Sequence, residues 1–552
     1  IALVATVLMV LVPQSASADD LRFTGSGWGH GVGLSQYGAR AMADAGSSAT
    51  EILSHYFPGT SIRHIDTINV GSPVLSETSP LWVGLLQNRS EIGFTLDEGS
   101  ATLCFDDTGL CAVTANEGER WKFGSDGAGS CRFSRQDDDG NYVPVEPAGL
   151  CSASARPSHQ STVIRIPRKA RSYRAGNLRF RISPVSGRYH LSLELGIEDY
   201  VRGVQELPDF WPGSSLEAQA IVSRTMVVRR LLDVGSAAAF NDWELELCAC
   251  HLKDDDPEQA FGGYTAELGH PFWQGRVGGT DGLILAYDNQ VASVRFSSST
   301  GGSTESNDAD GGEPRPYLVS VDDSASLTGP ADNPFATWTS WFSEGSLGSL
   351  FGFRWLNNIQ VVSRNESGSA RSVVMSGIIT DRPATVAASG AAVRDALGLR
   401  SSFFDVSITP RFDDVAPDHP FSGEVLGLSD LGITSGCTAN SYCPSDKVTR
   451  EQMAAFLVRA LGLVSPSGPV DTFGDDDGSV FEADIETLYH HGITSGCTAN
   501  SYCPSDKVTR EQMAAFLVRG FDLSSPQTPS GAFFDDDGSV FEADIETLYH
   551  HG

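Results

Sequence analysis

The stretch GITSGCTANSYCPSDKVTREQMAAFLVR at 432–459 recurs without a change at 492–519, and DDDGSVFEADIETLYHHG at 475–492 recurs at 535–552. Identical segments must fold alike, so the last quarter of the chain reads as an array of one unit: 411–470, 471–530 and a shortened third unit at 531–552. Each unit holds two helical patterns. One sets Phe481, Ile485, Leu488 and Tyr489 on a single face and stops at Gly492; the other does the same with Met453, Phe456, Leu457, Ala460 and Leu461. Thr449 stands as the N-cap of the second helix with Gln452 three residues on, and Val448 is placed to staple onto Met453. Arg450 and its twin Arg510 therefore fall in first turns, where a helix N-terminus and a guanidinium both suit anions. The Asp475–Asp477 run reads as a turn and cap.

The remaining chain is long enough for further domains, since 552 residues exceed what one core can hold. Residues 81–196 give short alternating strands such as STVIRI and NLRFRIS, and 283–321 and 353–409 give more. The fold class expected is α+β: a mixed, β-rich domain over 19–409, then an all-α bundle of repeats. A net charge of −32 without a basic stripe excludes nucleic acid as a partner, because phosphate binding needs clustered Lys and Arg. Residues 1–18 join an apolar run to Ala16-Ser17-Ala18, the pattern of a secretory signal, although the chain starts at Ile1 without a basic lead.

Ten cysteines fit an oxidising compartment. Local spacing predicts four bridges: Cys104 with Cys111, Cys131 with Cys151, Cys437 with Cys443, and Cys497 with Cys503. Cys248 and Cys250 look too close to bridge easily; beside His251 they are either zinc ligands awaiting a fourth partner or structural thiols.

One carboxylate stands out. In YVRGVQELPDFWPGSSLEAQAIVSRT, residues 200–225, Glu206 lies among Val204, Leu207, Pro208, Phe210, Trp211 and Pro212, an apolar bed suited to a proton-donating acid. A helix follows, with Ser214 and Glu217 as its expected capping box. Leu216, Ala220, Val227 and Leu231 form its apolar face, which brings Arg224 back toward the same loop. Far away, FTGSGWGHGVGLSQYGARAMADAG at 23–46 alternates glycines with Trp28, His30, Ser35, Gln36 and Tyr37, groups suited to sugars on a backbone free to turn tightly. A third segment, 296–323, offers Ser298, Thr304, Glu305 and Tyr317.

These segments resemble the SpoIID/LytB family of stage II sporulation protein D and amidase enhancers. The marks are Y-x-x-G-V-x-E-x-P-x-x-W-P, A-Q-A-x-x-x-R-T, S-S-x-G-G-x-T and G-W-G-H-G-V-G-x-S-Q-Y-G-A, and all four occur here. CACHLKDDDPEQAF at 248–261 matches a further family region, which implies that Gln259 faces the groove. The glycine-rich block comes first, whereas the commoner order places it after L-G-L-R-S. A permuted order predicts that Leu21–Thr24 pairs beside Phe404–Ile408. Met226 and the missing Lys before A-Q-A also depart from the pattern. The C-terminal array resembles S-layer homology repeats through F-x-D-V, G-I-T-x-G and T-R-x-Q.

The first resemblance implies a lytic transglycosylase acting on peptidoglycan strands stripped of peptide. Glu206 would act as acid then base, Arg224 as its electrostatic partner, and His30, Ser35, Gln36, Trp211, Gln259, Ser298, Thr304 and Tyr317 would line the groove. No cofactor is required beyond the open zinc question. The alternative is a noncatalytic enhancer of a wall amidase. The second resemblance implies a secreted protein held at the wall, with Arg450 and Arg510 binding a secondary cell-wall polymer.

Overall fold

The N-terminal strand Asp20–Gly25 is the middle strand of a three-stranded antiparallel sheet, flanked by Trp338–Ser343 and Phe404–Ile408. Leu21 faces Ile408 and Phe23 faces Val406, so the pairing expected of a permuted chain is present. Its buried side packs Leu21, Phe23, Phe353 and Phe404 together with Val373 and Met375 of a second antiparallel sheet, formed by Trp355–Arg364, Ala370–Ile379 and Arg382–Ser389. The computed structural model describes residues 20–68, 80–125, 129–254, 259–380, 382–408, 412–415, 419–430, 432–438, 440–464, 471–524 and 531–551. The secretory pattern at 1–18 lies outside them.

Residues 81–195 form two larger sheets of antiparallel strands, one six-stranded and one that becomes seven-stranded with the short strand Leu252–Lys253, which pairs parallel to Leu81–Arg89. Alternation fills the space between them with aromatics. Phe94, Phe123 and Phe133 of one sheet meet Phe105 and Phe180 of the other, with ring centroids 4.8 Å apart for Phe123 and Phe180 and 5.6 Å for Phe105 and Phe133. The expected bridges Cys104–Cys111 and Cys131–Cys151 close loops of this region.

Against this stands the long helix Gly213–Val234, with Leu216, Ala220, Val227 and Val228 on the core side. It ends where Gly235 takes a positive φ of 83°. Its start differs from the expected capping box: Pro212 occupies the cap position, and Ser214 falls inside the first turn. Ser215 Oγ donates back to the Pro212 carbonyl at 2.7 Å, while Glu217 pairs with Arg276 at 2.8 Å. Two short helices, Gln36–Asp44 and Ala49–Tyr56, pack on the long one through Ala39, Ile52 and Leu53 against Ala218, Ile221 and Val222.

The repeats fold alike. Thr449 and Thr509 form the expected capping boxes with Gln452 and Gln512 at the starts of helices Arg450–Leu461 and Arg510–Gly520. Helices Glu482–His490 and Glu542–His551 are the other halves of units two and three. Cys437–Cys443 and Cys497–Cys503 pin the loops between helices. Asp414 and Asp475 act as turn caps, each carboxylate accepting from two backbone N–H groups of the cysteine loop, Tyr442 and Cys443 in one case and Tyr502 and Cys503 in the other. The molecule is α+β, β-rich first and helical last.

Candidate functional site

Glu206 sits on the loop between the helix Ile197–Arg202 and the long helix, half-buried. A short antiparallel bridge joins Val204 to Phe261, and in that register Gln205 N donates to the Ala260 carbonyl at 2.9 Å. The Ala260 N–H then points back at Glu206 and donates to Oε1 at 2.6 Å. From the other side Gln36 Nε2 donates to Oε2 at 3.4 Å. Behind the carboxylate runs a buried polar row. Gln36 lies 3.5 Å from Gln219 Oε1, Gln219 Nε2 donates to Ser223 Oγ at 3.2 Å, and Gln259 also donates to Ser223 while accepting from the Tyr200 hydroxyl at 3.4 Å.

Three expectations about this loop are corrected. The apolar bed is incomplete, because Phe210 is 78 % exposed and Pro208 faces solvent, while Val204, Leu207 and Trp211 are drawn into the core. The floor beneath the carboxylate is polar instead. Arg224 is not the partner of Glu206. It is fully buried and grips Glu198 with two bonds, Nε to Oε1 at 2.6 Å and Nη2 to Oε2 at 2.7 Å, because the arginine's turn of the helix faces the Ile197–Arg202 helix. Gln259 belongs to the buried row rather than to an open groove wall.

The glycine-rich block reaches the site through Gln36 and carries the other walls. Gly27 N donates to the Phe335 carbonyl and Gly29 N to that of Arg400, both at 2.8 Å. At Gly27 φ is +81°, and an added Cβ would lie 2.6 Å from the Thr300 backbone, so this turn requires glycine. Trp28 stays 47 % exposed. His30 is spent on the turn: Nδ1 accepts from Val32 N at 2.9 Å, and burial, then the charges of Arg295 and Arg394, lower its pKa to about 3. Ser35 is buried and caps the Gln36–Asp44 helix by accepting from Gly38 N.

Ser298 remains half-exposed beside Tyr37, whose N–H bonds its carbonyl at 3.0 Å. Trp211 is buried beneath Tyr37, with ring centroids 5.0 Å apart, and supports the wall from behind. Thr304 and Tyr317 do not line a groove. Thr304 Oγ1 bridges the Val319 carbonyl and Val321 N, both at 2.8 Å, and the Tyr317 ring packs in the core while its hydroxyl accepts from Ser293 N. Sequence reasoning missed Gln219 and Ser223, although their four-residue spacing inside A-Q-A-x-x-S placed both on one helix face. It also missed the backbone of Ala260, which no side-chain pattern reports.

A hollow of about 540 Å³ between the Ala49–Tyr56 helix and the long helix is bordered by Glu217, Ile221 and Thr280. Glu217 and Ile221 face away from Gln219 and Ser223 on the helix, so this hollow is separate from the Glu206 site. The zinc expectation is corrected as well. Ala249 takes a left-handed φ of 51°, which turns the chain and brings Cys248 and Cys250 into a disulfide with Cα atoms 5.2 Å apart. His251 accepts from Trp82 N through Nδ1, and its Nε2 lies 2.9 Å from the Gly235 carbonyl. Among the described residues, the grouping of ligand atoms close enough for a metal is Asp475 with Cys497 and Cys503, whose sulfurs are bonded to each other.

In the repeats, Arg450 is 5 % exposed: Nε donates to the Tyr502 carbonyl at 2.8 Å, and the guanidinium lies over the Tyr502 and Phe516 rings. The second unit's cysteine loop covers its helix start, with Arg450 N donating to the Asp506 carbonyl. Arg450 is therefore closed to a polymer, which corrects its expected role. Arg510 is exposed.

Residues 186–287, which hold Glu206, Arg224 and Gln259, match the family model of SpoIID, "Stage II sporulation protein", and residues 411–454 and 472–514 match the S-layer homology domain. This chain carries a SpoIID domain and S-layer homology repeats. It is 56 % identical over 39 residues to an amidase enhancer of Bacillus subtilis (strain 168), 7 % of this chain and 6 % of that protein. It is 49 % identical over 47 residues to a stage II sporulation protein D of Bacillus amyloliquefaciens, 8 % of this chain and 14 % of that one. An endoglucanase of Bacillus sp. (strain KSM-635) is 36 % identical over 98 residues, 18 % of this chain and 10 % of the endoglucanase. The chain thus spans no more than 14 % of the length of these three curated relatives. The S-layer homology repeats place it at the cell surface. Among the described residues no helix is long and apolar enough to cross a membrane.

Proposed function

We propose that the SpoIID domain is a lytic transglycosylase that cleaves peptide-free glycan strands of peptidoglycan. The observation that carries this reading is that the other carboxylates offered by the motifs are each engaged by side chains other than Glu206. A hydrolase needs a second carboxylate roughly 5 to 10 Å away, and the candidates by motif are engaged elsewhere. Glu198 is held by Arg224, Asp199 pairs with Arg202 at 3.3 Å, and Glu305 accepts from Ser367 at 2.8 Å and from Ser369.

One carboxyl group suffices for ring closure. Glu206 in its protonated form donates to the glycosidic oxygen between N-acetylmuramic acid and N-acetylglucosamine, and the C1–O bond breaks with that proton on the departing sugar. The carboxylate then takes the proton of the C6 hydroxyl as O6 bonds to C1, giving the 1,6-anhydro ring and the starting acid. The Ala260 N–H and Gln36 fix the carboxyl group at the rim, so both transfers start from one position. The repeats hold the domain at the wall.

A second reading rests on the 56 % identical segment shared with an amidase enhancer: the domain binds glycan and stimulates a partner amidase without cleaving. The test incubates wild type and Glu206→Gln with peptide-free strands and reads anhydro-sugar products by mass spectrometry. Transglycosylation predicts product from wild type and its loss in the variant. Undiminished product in the variant removes Glu206 from the chemistry, and absence of product from wild type, with an amidase still stimulated, favours the enhancer.

A further inference from the structure

The repeats bury a pair of carboxylates that glycan cleavage does not use. Asp475 is committed to the cysteine loop, but its neighbour Asp476 turns inward: it is 1 % exposed, and its Oδ2 has no hydrogen-bond partner in the protein. Glu486, on the helix Glu482–His490, is 5 % exposed. Its Oε1 accepts from Thr472 N at 2.8 Å and from Phe473 N at 3.3 Å, while its Oε2 likewise has no partner. We propose that Asp476 and Glu486 together hold a hard divalent cation of the calcium or magnesium class, tying the entry turn of their unit to its helix, and that Asp536 and Glu546 do the same in the third unit.

Charge and burial point to a cation. A buried carboxylate is tolerated where a countercharge, a metal ion or a full set of donors meets it. The charges that act on Asp476 are those of Glu486, then Glu482 and Asp475, all negative. Among the described residues no Lys, Arg or His pairs with Asp476 or Glu486. No hydrogen bond joins the two carboxyl groups, so a proton shared between them does not account for the pair. Oxygen ligands without donors suit a hard cation, and such an ion keeps several waters of its own, so two carboxylates suffice without a cage of further side chains.

The first unit supplies a control within the chain. Asp414 caps its cysteine loop as Asp475 caps that of the second, and Val425 N donates to the Phe421 carbonyl as Ile485 N does to that of Phe481. In this register Val415 stands at the position of Asp476, and Leu426 at that of Glu486. The same unit is thus built with an apolar pair, so packing does not call for the acids, and the two positions change together. The acids recur with the repeated sequence in the third unit. Asp536 is 5 % exposed with Oδ2 unpartnered, and Glu546 is buried, its Oε1 accepting from Ala532 N at 2.9 Å.

The test follows the thermal transitions of the whole chain by calorimetry at pH 7, first with a chelator and then with calcium or magnesium chloride, sodium chloride matching the ionic strength. Extracellular calcium modules have dissociation constants of about 10⁻⁴ to 10⁻³ M, so about 10 mM of the divalent salt should raise the repeat transition by roughly 5 °C and leave that of the SpoIID domain in place. Asp476→Asn combined with Asp536→Asn should abolish this shift while keeping the transition in chelator at or above the wild-type value, because a repulsion has been removed. Glu486→Gln combined with Glu546→Gln, which keeps the oxygen that accepts from the backbone, should abolish the shift as well. A purely structural role for the acids predicts the reverse, a lower transition in chelator with the shift intact. That result, an equal shift in sodium chloride, or no shift with either divalent ion overturns the assignment.

Discussion

Among the described residues two arginines are buried, one in each region, and the molecule neutralises them by different means. Arg224, within the SpoIID domain, meets a full countercharge in Glu198, and its Nη1 adds a bond to the Leu283 carbonyl at 3.1 Å. Arg450, in the repeats, has one carbonyl and two ring faces. An ion pair commits both partners, so neither can lose the other without stranding a buried charge. A carbonyl and rings are ordinary parts of a packed interface and survive the arginine's loss. The pair in the first region is therefore brittle, while the contact in the second joins one repeat to the next at lower stake.

The largest effect should come from breaking the pair. Glu198→Gln should destabilise the SpoIID domain by about 3 to 5 kcal/mol, the usual cost of leaving one charge of a buried pair; a thermal transition shifted by a degree or less would remove Arg224 from the core. Arg450→Met should cost about 2 kcal/mol and act on the repeats alone, through the lost carbonyl bond and ring contacts. If it lowered the first region's transition equally, the two regions would not be separable.

Acid should move the regions in opposite directions. His30 has its pKa lowered to about 3, so its contribution is complete above 6.5 and is lost as pH falls from there toward 3. Asp476 is pushed up to about 6, by burial first and then by Glu486, so its contribution is complete below 3.8 and is lost as pH rises through 6. Calorimetry at pH 7 and pH 5 should show the SpoIID transition weakening and the repeat transition strengthening; His30→Asn and Asp476→Asn should each flatten one of these slopes.

What the sequence made legible follows range. The capping boxes at Thr449 and Thr509, the four disulfides between cysteines 6 to 20 residues apart and the strands of the first region all depend on nearby sequence, and they stand where pattern put them. The pairing of Leu21–Thr24 beside Phe404–Ile408 was reachable because motif order carries long-range information. The site was legible in membership more than in roles. Glu206 and Gln36 do meet, but whether Arg224 turns to Glu206 or Glu198 depends on how two helices pack, which spacing along one helix leaves open. Thr304 and Tyr317 sit in a polar-looking segment and were spent on backbone and core for the same reason. Cys248 and Cys250 were misjudged because a left-handed Ala249 has no signature in residue type.

The strand Asp20–Gly25 also sets the order in which the protein can be made. It is synthesised well before both of its neighbours, yet it lies in the middle of its sheet, and those neighbours are complete only when the chain has reached Ser343 and then Ile408. Until then both its hydrogen-bonding edges are open and Leu21 and Phe23 have no core to enter. Closing so long a loop is slow. The glycine-rich block follows this strand directly, so the wall bearing Trp28 and Gln36 is assembled last, and a nascent chain cannot present a complete groove before nearly all of its first region has emerged.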